Sequence, residues 1–346
     1  MRQLKYREAI DEATRQAMAK DERVFVMGVG VDDPKGIFGT TRGAFDQFGS
    51  SRVFDTPLSE AALTGMGVGA AMRGFHPLLV HARNDFLLLT MDQIVNNAAK
   101  WRYMSGGKLK VPLTIRAIIG RGWGQAAQHS QSLQAMFAHV PGLAVIMPTS
   151  PADAKGLLMT ALSSDSPVIC LEHRWLYDKS GPVPEDPYYT PLGVGSVVRA
   201  GRDVTIVAVS HMVLEALQAA ETLAGEGIDT EVIDPRTLRP LDSGLICRSA
   251  AKTGRLVIVD TGWRSYGVSA EIAARAAEEL WGVLKAPIKR VALPDVPTPG
   301  SSALEAAYYP GTREIVAAVK QCLQAPAAGI ADGIAPSNRK EFEGPF

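Results

Sequence analysis

Short apolar runs alternate with helix-patterned segments along this chain in two series, and a proline-rich stretch separates the series. In the first, RVFVMGVGV (23–31), HPLLVHA, VPLTIRAII (111–119), GLAVIMP and SPVICLEH read as strands. TMDQIVNNAAKWRYM and PADAKGLLMTALSS between them read as helices, the former with Met91, Ile94, Val95, Ala98 and Trp101 at helical spacing. Such alternation calls for a mainly parallel sheet, since crossover helices cover both of its faces. The segment DKSGPVPEDPYYTP (178–191) holds four prolines and no periodicity, the composition of a stiff linker. Beyond it the pattern restarts with DVTIVAVS, MVLEALQAAETLAGEG, IDTEVID, a helix around 242–252, RLVIVD and VSAEIAARAAEELW. The predicted fold is therefore α/β with two parallel-sheet domains: residues 1–180, a linker over 181–197, residues 198–323, and a tail over 324–346 that reads as an extended or disordered arm.

Composition removes several function classes. Lys and Arg number 36 against 36 acidic residues, with no basic stripe interleaved with aromatics, so the electrostatic footprint of nucleic-acid binding is missing. The longest apolar runs, such as FLLLTM, fall far short of the roughly 18 residues that cross a bilayer. MRQLKYREAIDEATRQAMAKDERV reads as a mixed-charge amphipathic helix without the apolar core of a signal peptide, and the expectation is a cytoplasmic protein. Cys170, Cys247 and Cys322 are too widely spaced for a disulfide framework or a zinc motif. The histidines at 76, 81, 129, 139, 173 and 211 form no HExxH and no Cys/His cluster.

Three stretches stand out as candidate chemistry. SRVFDTPLSEAALTGMGVGAAMRG (51–74) sets Glu60 at the head of a run of Ala, Gly and Met. An acidic residue suits a helix N-terminus for dipole reasons alone. Glycines 65, 67 and 69, however, each weaken a helix by about 1 kcal/mol, which points to close approach of another backbone or a ligand. A carboxylate buried there is a candidate acid or base. GRGWGQAAQHSQS (120–132) carries His129 in a glycine-rich loop after a strand, where α/β sheets bind ligands. Gly120, Gly122 and Gly124 match neither a Walker nor a Rossmann fingerprint, so no phosphate cradle is expected in this chain. In VHARNDFLLL (80–89), Arg83, Asn84 and Asp85 precede Phe86 where a strand ends; taken alone, Phe86 reads as core. DVPTPG and RTLRPLD read as proline-fixed structural loops.

DTPLSEAALTGMGVGAAMRGFHP, MDQIVNNAAKWRYMSGGKLKVPLTIR, AAQHSQSLQAMFAHVPGLAVIMPTSPADAKGLL, PVICLEHRWLY, EVIDPRTLRPLD and LPDVPTP with LEAAYYP resemble the beta subunits of thiamine-diphosphate-dependent 2-oxo acid dehydrogenases, over about residues 4–322. The resemblance implies a pyrimidine-binding domain followed by a transketolase-type C-terminal domain. It implies that Glu60 hydrogen-bonds N1′ of the cofactor's aminopyrimidine, that Phe86 stacks on that ring, and that His129 orients substrate and serves proton transfer in reductive acylation. The small residues after Glu60 would let the helix pack closely against the alpha subunit. The family's diphosphate and Mg²⁺ motif lies on that alpha subunit; no GDG occurs here, and Asn96 and Asn97 match a helix of the beta pattern rather than metal ligands. A heterotetramer with an alpha chain is implied, together with docking to a lipoyl acyltransferase core. A structural monovalent cation, K⁺, on the carbonyls of Leu113, Ala161 and Leu162 is also implied, although SSDS after them departs from the family's usual Asp/Asn.

Other departures bear on the substrate. MGVGV stands where the family often has Gly-Glu-Glu-Val, so Val29 and Gly30 remove acidic groups. Arg83 and Asn84 replace apolar or aromatic residues, and Arg121 and Trp123 add charge and bulk to the His129 loop; a larger or anionic substrate is the expectation, with Arg83 and Arg121 as its contacts. The leading reading is decarboxylation of a 2-oxo acid with acyl transfer to lipoamide. A split transketolase-like ketol transferase or other thiamine-diphosphate carbon–carbon lyase or ligase is the alternative, and a non-catalytic scaffold chain is the third.

Overall fold

The computed structural model describes residues 2–33, 36–120 and 124–324. Arg121 and Trp123, and all of the predicted tail after Gln324, lie outside the described residues. The chain opens with β1 (Arg2–Lys5), α1 (Tyr6–Lys20), β2 (Val24–Gly28), α2 (Arg42–Phe48), β3 (Val53–Asp55), α3 (Glu60–Met72) and β4 (His76–His81). It continues through α4 (Ala99–Met104), β5 (Thr114–Ile119), α5 (Gln134–Ala138), β6 (Ala144–Ile146), α6 (Pro151–Leu162) and β7 (Val168–His173). Then come β8 (Ser180–Val183), β9 (Ser196–Arg199), β10 (Val204–Ala208), α7 (Met212–Ala224), β11 (Thr230–Asp234), β12 (Thr237–Arg239) and α8 (Ser243–Thr253). The last elements are β13 (Leu256–Trp263), α9 (Val268–Glu279), β14 (Lys289–Leu293), α10 (Ser302–Tyr308) and α11 (Thr312–Gln324).

Two large sheets result, in the strand orders β12-β6-β7-β5-β4-β2-β3 and β14-β13-β10-β11-β9. From β6 to β3 and from β14 to β11 every pairing is parallel. Their central strands are buried on both faces, which is why they read as mostly apolar runs rather than alternating ones, the charged Arg116 of β5 and Glu172 of β7 being paired with each other. Each sheet ends in one antiparallel edge strand, β12 and β9. β12 comes from RTLRPLD, read from sequence as a structural loop; it crosses from the second half of the chain to close the first sheet, and Met147 N–H donates to Arg236 O across the same join. A continuous core then runs from Ile115, Phe137 and Val145 to Ile233, Ile246 and Ile258, so the two halves are packed into one another.

Two further expectations change. The first helix begins at Tyr6 rather than at the N-terminus, because Arg2–Lys5 pairs antiparallel with β8. That pairing, together with Lys155, pins the start of the predicted linker. The buried Lys155 Nζ donates to the Pro184 and Glu185 carbonyls at 2.8 Å each and to Glu12 Oε1 at 2.6 Å. Tyr188 OH donates to Ala152 O at 2.6 Å. The proline-rich segment is thus a strap across α1 and α6, stiff in composition but bonded along its length. Among the described residues no helix is long and apolar enough to cross a membrane.

Candidate functional site

The parallel strands β3, β2, β4, β5 and β7 end on one edge of the first sheet, and Glu60, Arg83, Phe86 and His129 follow those ends, whereas Leu113 precedes β5 and Ala161 and Leu162 end the helix before β7. In a parallel sheet this edge is where loops can converge on a ligand, since the crossover helices occupy the faces. Gly28–Gly30 follows β2, Glu60 heads the helix after β3, Arg83–Phe86 follows β4, Gly120 and the His129 loop follow β5, and His173–Trp175 ends β7.

Phe86 and His129 meet edge to face with ring centroids 5.3 Å apart, both half-buried. Glu60 is half-buried at the first turn of α3, not enclosed as the sequence suggested. α3 packs against residues 84–90, which places Glu60's helix beside the Phe86 segment. The three glycines of α3 divide: a Cβ at Gly67 would come within 3.3 Å of Leu113 Cδ1 and one at Gly65 within 3.4 Å of Gln93, whereas Gly69 faces open space. Large apolar side chains are exposed on and just before α3, Leu58 at 77% and Met66 at 64%. At the end of β2, Gly30 sits at φ +70° and donates its N–H to Asp55 Oδ1 at 2.6 Å, a left-handed turn that suits glycine. Val29 beside it is half-buried.

Arg83, Asn84 and Asp85 are buried, where the sequence reading put a polar, cationic pocket rim. Arg83, 6% exposed, donates Nη1 to Gly120 O at 2.7 Å, and its Nη2 is buried with no partner among the described residues. Burial, then the like charge of Arg174, lowers its pKa. Asn84 donates Nδ2 to Gln131 O at 2.9 Å and accepts Leu133 N–H at 3.0 Å. Asp85 Oδ1 accepts the Gln131 N–H at 3.1 Å and its Nε2 at 2.9 Å. Burial pushes the Asp85 carboxyl up, and those Gln131 donors oppose the shift. Sequence reasoning took Asn84 for a substrate-side group and gave Asp85 no role; the visible signal was a run of three polar residues at a strand end.

Deeper between the sheets, Gly120, Ser132, His173, His211, Asp260 and Tyr309 line a cavity of about 160 Å³. His173 and His211 stack there at 4.8 Å. Burial holds His211 down at about 4, so it is neutral, and Asp260 accepts from Gln134 Nε2, Gly262 N–H and Ser269 N–H. Of the carbonyls expected at a cation, Leu113 O accepts Val168 N–H at 2.9 Å, Ala161 O accepts Ser164 N–H at 3.1 Å, and Leu162 O lies 3.2 Å from His76 Nδ1. Asn96 donates to Asp92 Oδ1 and Asn97 to Gln93 Oε1, within their own helical turn. Among the described residues, no group of three or more His, Cys, Asp or Glu could hold a metal ion.

Two family models cover the chain: the transketolase pyrimidine-binding domain over residues 2–179 and the transketolase C-terminal domain over 193–315. The beta subunit of acetoin:2,6-dichlorophenolindophenol oxidoreductase from Cupriavidus necator is 43% identical over 93% of this chain and 98% of its own length. The beta subunit of the pyruvate dehydrogenase E1 component from Rickettsia felis is 44% identical over 92% and 98%. The chain belongs to this transketolase-type E1 beta-subunit family. In this E1 beta chain, then, the half running from β1 through β7 is the pyrimidine-binding part, and the half that lends β12 to it is the C-terminal part. Among solved structures, a split-gene transketolase described as an inactive beta4 tetramer matches it with a TM-score of 0.73 at 26% identity, covering 93% of this chain and 98% of that one.

Proposed function

We propose that this chain is the beta subunit of a thiamine-diphosphate-dependent 2-oxo acid dehydrogenase decarboxylase component, active together with an alpha chain in a heterotetramer. The observation that carries the reading is the edge-to-face pair of Phe86 and His129 at the carboxyl edge of the first sheet, beside the helix headed by Glu60. These residues fit the pyrimidine half of the cofactor: an aromatic face, a carboxyl and an imidazole share one half-open edge, with no phosphate-cradling motif beside them. Thiamine diphosphate, when bound, supplies the electron sink for cleaving the bond between the carboxyl and keto carbons of the substrate.

Phe86 would give the pyrimidine ring its stacking face. The Glu60 carboxyl would exchange a proton with ring nitrogen N1′, and His129 would orient the substrate and move a proton at the acyl acceptor. The diphosphate and Mg²⁺ would be held by the alpha chain. The exposed Leu58 and Met66, with Leu89 60% exposed on the segment packed against α3, support an alpha chain covering this edge. A lipoyl acyltransferase core as the acceptor, and a monovalent cation using the second lone pairs of the Leu113, Ala161 and Leu162 carbonyls, belong to the same proposal. Arg83 and Arg121 remain the proposed contacts for an anionic substrate group, with Arg83 reachable only after its sealed Nη2 opens.

A ketol transferase is the second reading, favoured by the split-gene transketolase likeness. Reconstitution with an alpha chain separates them. Reduction of 2,6-dichlorophenolindophenol or of a lipoyl domain that depends on a 2-oxo acid supports the dehydrogenase; ketol transfer between sugars without it supports the alternative.

A further inference from the structure

Three consecutive side chains after β4 hold the His129 loop at both of its ends. Arg83 takes the carbonyl of Gly120 where the loop leaves β5. Asn84 and Asp85 take the backbone of Gln131 and Leu133, two and four residues past His129, through three main-chain hydrogen bonds of 2.9 to 3.1 Å. Asp85 also takes the Gln131 side chain, and Asn84 Nδ2 donates to Asp85 Oδ2 at 3.2 Å, so the two clasping groups brace each other. Asp85 thereby receives three side-chain and main-chain donors, the set that an ionised carboxylate accepts. The next residue in the chain is Phe86, whose ring meets the His129 imidazole at 5.3 Å. One short segment therefore carries both the aromatic face and the clasp that sets the imidazole against it.

We infer that Asn84 and Asp85 are positioning residues for His129, fixing the direction of its ring nitrogens relative to Phe86. Their hydrogen bonds among the described residues go to Gln131 and Leu133 and to each other, so they act on His129 through its loop. The chemistry that uses His129 rests on the function proposed above, whereas the clasp itself is testable without it. A loop held at residues 131 and 133 has little freedom at 129, and a displacement of the order of 1 Å in a proton-transferring group costs about 100-fold in rate.

The test uses the full chain, alone and reconstituted with its alpha chain, in the variants Asp85→Ala, Asn84→Ala and Asp85→Asn. The first readout is the imidazole carbon and proton resonances of histidines labelled with ¹³C, with the His129 signal assigned by His129→Gln. In the parent chain, Phe86→Leu should shift this signal, and in Asp85→Ala it should move toward that of a solvated histidine while the other five histidines stay in place. Asp85→Asn, which retains an acceptor for the Gln131 donors, should restore it. The second readout compares acceptors in the reconstituted pair. Asp85→Ala should reduce turnover with a lipoyl acceptor about 100-fold, with a much smaller loss for 2,6-dichlorophenolindophenol and little change in KM for the 2-oxo acid. An unmoved His129 resonance in both alanine variants overturns the clasp, whatever the activity. A moved resonance in a pair that turns over no 2-oxo acid keeps the clasp and removes the proposed reaction instead. Equal losses with both acceptors alongside an unmoved His129 signal, or movement of all six histidine signals, would mean that Asp85 is only structural.

Discussion

The buried ion pair between β5 and β7 offers the sharpest test of how the site edge is held. Arg116 and Glu172 are each 1% exposed, bonded in a fork with Nε to Oε1 at 2.5 Å and Nη2 to Oε2 at 2.9 Å. Tyr177 OH also donates to Oε2, at 2.8 Å. The Glu172 charge raises the Arg116 pKa against the pull of burial, so the guanidinium stays charged. The pair lies four residues before Gly120 and one before His173, where both strands hand over to the site loops. Removing one partner strands a charge in the interior at about 3–5 kcal/mol, whereas replacing both with apolar residues of similar volume is close to neutral. In each Glu172 variant Tyr177 OH loses its acceptor, adding about 1–3 kcal/mol that cancels between Glu172→Leu and the double variant Arg116→Met/Glu172→Leu. The double variant should therefore be more stable than Glu172→Leu alone by about 3 kcal/mol. Urea unfolding of the four chains, followed by fluorescence, gives the coupling energy. Additive losses, with the double variant the least stable of the four, would refute the claim that the charge itself is what each single variant strands.

Other expectations follow from particular residues. Burial holds His81 and His211 at about 4, below the ordinary value near 6.5, so the unfolded chain binds protons in that window that the native chain does not. Stability is then complete above about pH 6.5 and falls as the pH drops toward 4, by up to about 1.4 kcal/mol per pH unit for each histidine. His81→Gln should flatten that slope by close to one proton, measured by urea unfolding at stepped pH; an unchanged slope would mean that His81 titrates normally. Gly142 sits at φ +99°, and a Cβ there would lie 2.0 Å from Ala99 O, so Gly142→Ala should cost several kcal/mol, on the order of 3. A thermal midpoint within a degree or two of the parent would contradict that packing. Glu60→Gln should leave the unfolding curve in place, because the side chain is half-buried at a helix start, yet slow proton exchange at the cofactor's C2 in the reconstituted pair by about 100-fold or more.

Much of the architecture was legible because parallel strands buried on both faces are largely apolar, and Val168–Leu171 and Val204–Ala208 announce themselves that way. β1 and β12 were hidden for the opposite reason. Arg2–Lys5 and Thr237–Arg239 are short edge strands whose partners lie far away in sequence, so no local period records them. The proline-rich strap was legible in stiffness but not in attachment, since its anchor is a lysine buried in a helix of another segment. At the site, the glycine-rich loop after a strand pointed to His129 and the family resemblance to Phe86, which taken alone reads as core, and the structure brings those two rings together. The clasp formed by Arg83, Asn84 and Asp85 was not legible, because three polar residues at a strand end look the same in sequence whether they face a ligand or turn inward to hold a neighbouring loop. Their hydrogen bonds to Gly120, Gln131 and Leu133 show that they hold the neighbouring loop.

The central claim, that this chain supplies half of a shared cofactor site, is tested most directly by titration calorimetry of thiamine diphosphate with Mg²⁺ into the chain alone and into the chain joined with its alpha chain. The expected result is saturable binding to the pair, abolished or greatly weakened by Phe86→Ala, and none to the chain alone. Binding to the pair that Phe86→Ala leaves untouched, or no binding to the pair at all, would contradict it.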